Sequence, residues 1–171
     1  MHFRPWLTQR LLFVYGAVLC AALMFTALYM QHVLRLEPCP LCIFQRAFVS
    51  ALGVVMLAGA VHDPRALGRR VYGVLVLSLS LLGVAVAGRH VWLQHLPADQ
   101  VPECGPGLEY MLEAFPLNET LALVFRGSGE CAEVQWSFLA LSIPEWTVLI
   151  FLGLGAFGVY LLATRPPLRT L

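Results

Sequence analysis

Two cysteine pairs lie outside the apolar stretches of this chain: Cys39 and Cys42 in C-P-L-C, and Cys104 and Cys131, with 26 residues between them. Disulfide exchange needs one sulfur to attack and a second to resolve the mixed disulfide, so two pairs make a relay. A C-x-x-C alone also serves zinc knuckles and haem attachment. Ile43, not His, follows Cys42, which excludes haem attachment. Cys104 and Cys131 are too far apart to be the second half of a zinc knuckle, and the βαβ pattern of a soluble thioredoxin-like module is missing. What remains is a redox C-x-x-C at the mouth of a helix. Pro40 suits the first helical position, so Cys42 falls in the first turn, where unpaired N–H groups and the helix dipole face a sulfur anion. Arg46 shares its helix face about 6 Å further along, at ~1.5 Å per residue. A cation there can stabilise the sulfur and also negative charge on an electron acceptor lodged between helices. The alternative is an arginine that snorkels from a helix end.

The spacing of Cys104 and Cys131 leaves two readings open, a structural staple and an exchangeable bond, and four cysteines permit three pairings. Pro102, Gly105, Pro106 and Gly107 keep the chain around Cys104 extended, and exposed disulfides are the exchangeable ones. Cys20 lies mid-way through an apolar run and reads as a small buried hydrophobe. His90 falls near the depth of Cys42. It either exchanges protons with a reduced acceptor or is an ordinary hydrogen-bonded interfacial histidine. Gln45 reads as a satisfied polar residue, and Asn118 as a helix cap.

The elements that position these residues are membrane helices. Of 171 residues, 59% are hydrophobic and 12% charged, with no lysine, too little polar surface to coat a soluble globule. No basic run extends beyond Arg69-Arg70, so nucleic acid is not a partner. Crossing about 30 Å of hydrocarbon takes ~20 helical residues, and residues 11–30, 43–61, 71–88 and 146–163 qualify. The first is long for a signal peptide and lacks an A-x-A-like cleavage site, so a retained helix is expected. Arg4, Arg10, Arg65, Arg69, Arg70, Arg165 and Arg169, seven of the eleven arginines, lie on one side. The positive-inside rule then predicts cytoplasmic termini and outward-facing cysteines, where disulfides persist. Two outer loops follow, 31–41 and 90–144, and the second is far longer than a helix connection needs. In it Leu117, Leu121, Val124 and Phe125 share one face of a short helix. That helix either lies flat in the membrane interface or caps the bundle. The expectation is an all-α polytopic membrane protein, one domain over 1–171, with four transmembrane helices and a short interfacial helix in the second loop.

Two segments carry a resemblance. L-E-P-C-P-L-C-I-F-Q-R (36–46) and S-G-E-C-A-E-V-Q-W-S-F-L (128–139) resemble the disulfide bond formation protein B family of bacterial inner membranes, and the four-helix layout matches over essentially the whole chain. The resemblance implies an enzyme that reoxidises a periplasmic DsbA-like thiol oxidase and passes the electrons to membrane quinone, ubiquinone or else menaquinone. By motif position, Cys42 would face the quinone and Cys39 would be its partner. Cys104 would be the sulfur attacked by the oxidase, and Cys131 the resolving thiol that reaches Cys39. Arg46 would attend the quinone, and the family's outer histidine matches His90. The Cys104 segment, D-Q-V-P-E-C-G-P-G (99–107), is the least similar, so a general DsbA and a dedicated DsbA-like partner both stay open. Two rivals from other classes are a non-catalytic four-helix scaffold with stapled loops and a thiol-based metal handler.

Overall fold

Residues 5–97, 99–102 and 108–164 are described by a computed structural model of the chain. Four long helices dominate: α1 (Pro5–His32), α2 (Pro40–His62), α3 (Ala66–Gln94) and α7 (Ile143–Ala163). Between α3 and α7 come α4 (Leu108–Ala114), α5 (Leu117–Arg126), α6 (Gly129–Ala132) and a two-stranded hairpin, β1 (Ser137–Phe138) and β2 (Leu141–Ser142). Each long helix contains an apolar stretch of 21 to 29 residues, enough to cross a bilayer. Tyr15, Val18 and Phe25 on α1 and Val54 and Leu57 on α2 are exposed, as side chains solvated by lipid can be.

Inside the bundle, Phe13, Leu52, Met56, Val76, Phe151 and Leu161 are fully buried in one cluster. α3 packs most extensively on α7. Their backbones approach closely at Gly73 and Gly158, where a Cβ on Gly158 would lie 2.9 Å from Leu77 N. Small residues permit such contact where lipid supplies no hydrophobic drive between helices. A second cluster closes one end of the bundle: Cys39, Leu41, Val86, Leu93, Met111, Val124 and Cys131. The C-termini of α1 and α3 and the N-termini of α2 and α7 meet at that end.

The helix ends differ from the sequence reading in informative ways. α3 runs on to Gln94 instead of stopping at residue 88, so His90 belongs to the helix and not to the loop. Arg89, just past the expected end of the span, is accommodated. Its guanidinium lies 4.1 Å from the Trp92 ring centroid, and its Nε and Nη2 donate to Phe125 O and Arg126 O at 3.0 and 2.9 Å. Those carbonyls end α5, the negative end of its dipole. α5 itself packs Thr120 and Val124 inward while Leu117 and Phe125 point out, so the apolar face read from sequence is split between bundle and surroundings. Pro116, not Asn118, is its N-cap, because Pro116 O accepts from both Glu119 N and Thr120 N at 3.0 Å. The hairpin adds a short β element to the expected all-α fold. Leu139 and Ala140 both have positive φ, 52° and 64°, as a two-residue primed turn requires. Ser142 then starts α7, its N–H donating to Glu145 Oε2 at 2.6 Å.

Candidate redox site

α2 begins with Cys39 as N-cap in extended conformation and Pro40 in the first turn. This geometry folds the C-P-L-C segment back on itself and sets Cys39 Sγ 3.3 Å from Cys42 Sγ. Closing that gap to about 2.05 Å makes the disulfide. The two sulfurs face different surroundings. Cys39 is 5% exposed inside the end cluster. Cys42 is half-buried and borders a cavity of about 380 Å³ between α1, α2 and α7.

Cys131 comes to Cys39 from the other side. α6 is a single turn begun by Ser128, whose C=O accepts from Cys131 N at 2.9 Å and whose Oγ lies 3.7 Å from Cys131 Sγ. The Cys131 thiol is fully buried. The nearby Cys39 sulfur, and then burial, hold it well above the usual thiol range. It therefore stays a thiol, in the same buried cluster as Cys39.

His90 reaches the pair from α3. It is 3% exposed, with Nε2 3.8 Å from Cys39 Sγ and Nδ1 3.9 Å from Cys42 Sγ. Gln45, one helical position short of Arg46 and buried, sets its Nε2 3.0 Å from His90 Nδ1. With the amide donating, Nδ1 accepts and the ring proton sits on Nε2, facing Cys39. Gln45 was readable in sequence only as a polar residue to be satisfied. Its partner is 45 positions away on another helix, and helix rotation leaves no signal in sequence.

Arg46 does not run out to water. Its Nη1 donates to Gln31 Oε1 and its Nη2 to Ala27 O at 3.2 Å, both on α1. The guanidinium lines the same cavity as Cys42, among Met30, Val49, Trp146 and Ile150. Phe138 of the hairpin and Trp136 just before it stack with centroids 6.0 Å apart and border the cavity. Trp146 Nε1 donates to Phe138 O at 3.0 Å and ties that stack to α7.

Cys104 lies outside the described residues. Cys20 is 2% exposed within the main core, packed near Gly53 and remote from the other sulfurs. The structure thus brings together Cys39, Cys42, Cys131, His90 and Arg46 at one end of the bundle.

A family model described as disulfide bond formation protein DsbB matches residues 9–161. The chain is 56% identical over 154 residues to disulfide bond formation protein B of Nitrosococcus oceani, covering 90% of this chain and 91% of the relative. It is 53% identical over 152 residues to the protein of that name from Methylococcus capsulatus, covering 89% and 93%. With disulfide bond formation protein B 1 of Pseudomonas aeruginosa it shares 46% identity over 155 residues, covering 91% and 95%. The chain belongs to the DsbB family.

It is therefore a multi-pass protein of the bacterial inner membrane and a membrane thiol–disulfide oxidoreductase, which sets aside the non-catalytic scaffold. Quinone use goes with the DsbB family, and the residues here fit such a group. The cavity's size falls within the usual range for small-molecule sites. Its walls are mainly apolar, as a ring with a prenyl tail requires. Cys42, Gln45 and Arg46 line it from α2, with Thr26, Glu37, Gln135 and Thr147 on its other sides.

Proposed function

We propose that this DsbB-family chain, acting as one domain over 1–171, draws electrons from a periplasmic DsbA-like thiol oxidase through two cysteine pairs in series. The oxidase's thiolate attacks Cys104 of a Cys104–Cys131 disulfide, and Cys131 leaves as the thiolate. Cys131 then attacks Cys39 of the Cys39–Cys42 disulfide. A Cys39–Cys131 bond forms, and the electron pair comes to rest on Cys42. The oxidase's second thiol resolves its bond to Cys104 and releases it oxidised. Cys104 then attacks Cys131 and frees Cys39, so Cys39 and Cys42 are left reduced.

The observation that carries this reading is the division of the C-P-L-C sulfurs. Cys39 shares a buried cluster with Cys131, while Cys42 borders the large cavity. Cys42, Gln45 and Arg46 would hold a quinone in that cavity, ubiquinone or else menaquinone, which would supply a two-electron, two-proton acceptor. Arg46 holds positive charge at its edge, where low dielectric magnifies the effect. His90, between the two sulfurs, holds a proton at Nε2 and gives or takes it as the pair changes state. Gln45 fixes the ring for that task. The arginine distribution puts both termini in the cytoplasm and this end of the bundle in the periplasm.

The test removes the resolving thiol. Cys131→Ser, mixed with oxidised partner or with a single-cysteine partner plus oxidant, should accumulate a Cys104–partner mixed disulfide. It is read as a reductant-sensitive shift on a non-reducing gel. An adduct mapped to Cys39 instead means that the partner bypasses the second loop, and Cys104 and Cys131 are then a structural staple.

A further inference from the structure

Among the described residues, Cys39, Cys42 and His90 offer three donor atoms that all lie within 4.8 Å of one another. Tetrahedral zinc sets its ligand atoms about 3.8 Å apart for two sulfurs and about 3.6 Å for sulfur and nitrogen, from bonds of ~2.3 and ~2.0 Å. Here the sulfurs are 3.3 Å apart, and His90 Nε2 is 3.8 Å from Cys39 Sγ. For these two pairs a few tenths of an ångström separate the dithiol from a ligand set. Cys42 Sγ lies 3.9 Å from Nδ1, so the imidazole must turn to offer Nε2 to both sulfurs. We infer that the reduced Cys39–Cys42 pair and His90 form a binding site for a thiophilic divalent cation of the zinc class, which holds the enzyme in its dithiol state.

Three features build the site. Cys39 and His90 are almost fully buried, which keeps the donors together before the ion arrives. Gln45 supplies the outer contact: with its amide turned so that Oε1 accepts from Nδ1–H, the Nε2 lone pair faces Cys39. Metal-binding histidines are held by such partners. A void of about 30 Å³ bordered by Cys39, Cys42 and His90 opens past Glu130 and Glu133. It has room for an ion and a water in the fourth position, and the two carboxylates flank the route in.

Binding exchanges one cation for the two thiol protons, which pass to solvent, and no electron moves. The disulfide offers no thiolate, so the oxidised enzyme does not bind. The inhibitory consequence rests on the proposed cycling of Cys39–Cys42. The binding itself does not, because a phosphine reductant prepares the dithiol without partner or quinone.

The experiment titrates Cd²⁺ into full-length protein in detergent, reduced and exchanged into metal-free buffer, and follows thiolate-to-cadmium absorption. The expected result is one Cd²⁺ per chain, displaced by Zn²⁺, retained in a Cys104→Ser/Cys131→Ser variant and absent from oxidised protein. Gln45→Leu should weaken binding about 10- to 100-fold, and His90→Ala by at least about tenfold. Absence of a saturable band, loss of binding in the double variant, or wild-type affinity in His90→Ala would overturn the site. X-ray absorption at the zinc edge of the wild-type protein needs no variant. A shell of two sulfurs with a nitrogen ligand supports the inference, and an all-sulfur shell contradicts it.

Discussion

Cys39 and Cys42 stand three positions apart and have different neighbours, and the division follows from local geometry. Cys39, as N-cap, still has extended backbone and turns toward α6. Cys42, one turn into α2, shares the face that carries Arg46. The spacing of these three residues was legible in the sequence because helix geometry fixes it. The partners were not. Arg46 is tied to Gln31 and Ala27 on α1, and His90 to Gln45 on α2, and no periodicity encodes how one helix is rotated against another. Arg46→Met tests the arginine, since methionine keeps length and apolar packing but removes the charge. The expected outcome is near-normal folding with a KM for quinone raised about tenfold, the equivalent of ~1.4 kcal/mol, and slower turnover. Steady-state kinetics with a soluble quinone analogue reads both. Unchanged quinone kinetics would reduce Arg46 to a strut between α1 and α2.

At the level of elements, the four long helices announce themselves by apolar length. Their ends do not, because a charged residue ends a hydropathy run whether or not the helix stops. Arg89 is the case in point. It continues α3 because the last carbonyls of α5 accept its hydrogen bonds, a partner 36 positions away that the sequence does not display. The hairpin was equally hidden, since Leu139-Ala140 carries none of the glycine or asparagine that marks a primed turn. The consequence for function is that Arg89 fastens α5, and α5 leads directly into the turn that holds Cys131. Arg89→Met should loosen that fastening, with a loss of about 1 kcal/mol from two hydrogen bonds that are exposed and charge-assisted. Amide exchange across residues 117–132 should rise several-fold while α1, α2 and α7 keep their protection. A uniform rise over the bundle, or none, would show that α5 is held by Thr120 and Val124 alone.

For the molecule as a whole, polarity follows from where arginine sits. Arg65, Arg69 and Arg70 cluster at the turn between α2 and α3, opposite the end that carries the sulfurs. Arginines near helix ends resist translocation, which orients the bundle. Alkaline phosphatase joined after Ala132 should be active, and joined after Arg70 inactive, because that enzyme folds only where its disulfides form. The reverse pattern would place the cysteines in a reducing compartment and remove the basis for a disulfide relay. In the proposed relay, electrons cross from the second loop to the bundle by exchange between Cys131 and Cys39. A Cys42→Ser/Cys104→Ser variant leaves those two sulfurs as the exchange partners at this end of the bundle. Mild oxidation in native membranes, followed by alkylation, proteolysis and mass spectrometry, identifies the bond. The expected product is a Cys39–Cys131 disulfide in most molecules. Recovery of Cys39 and Cys131 as separately alkylated thiols would contradict the relay.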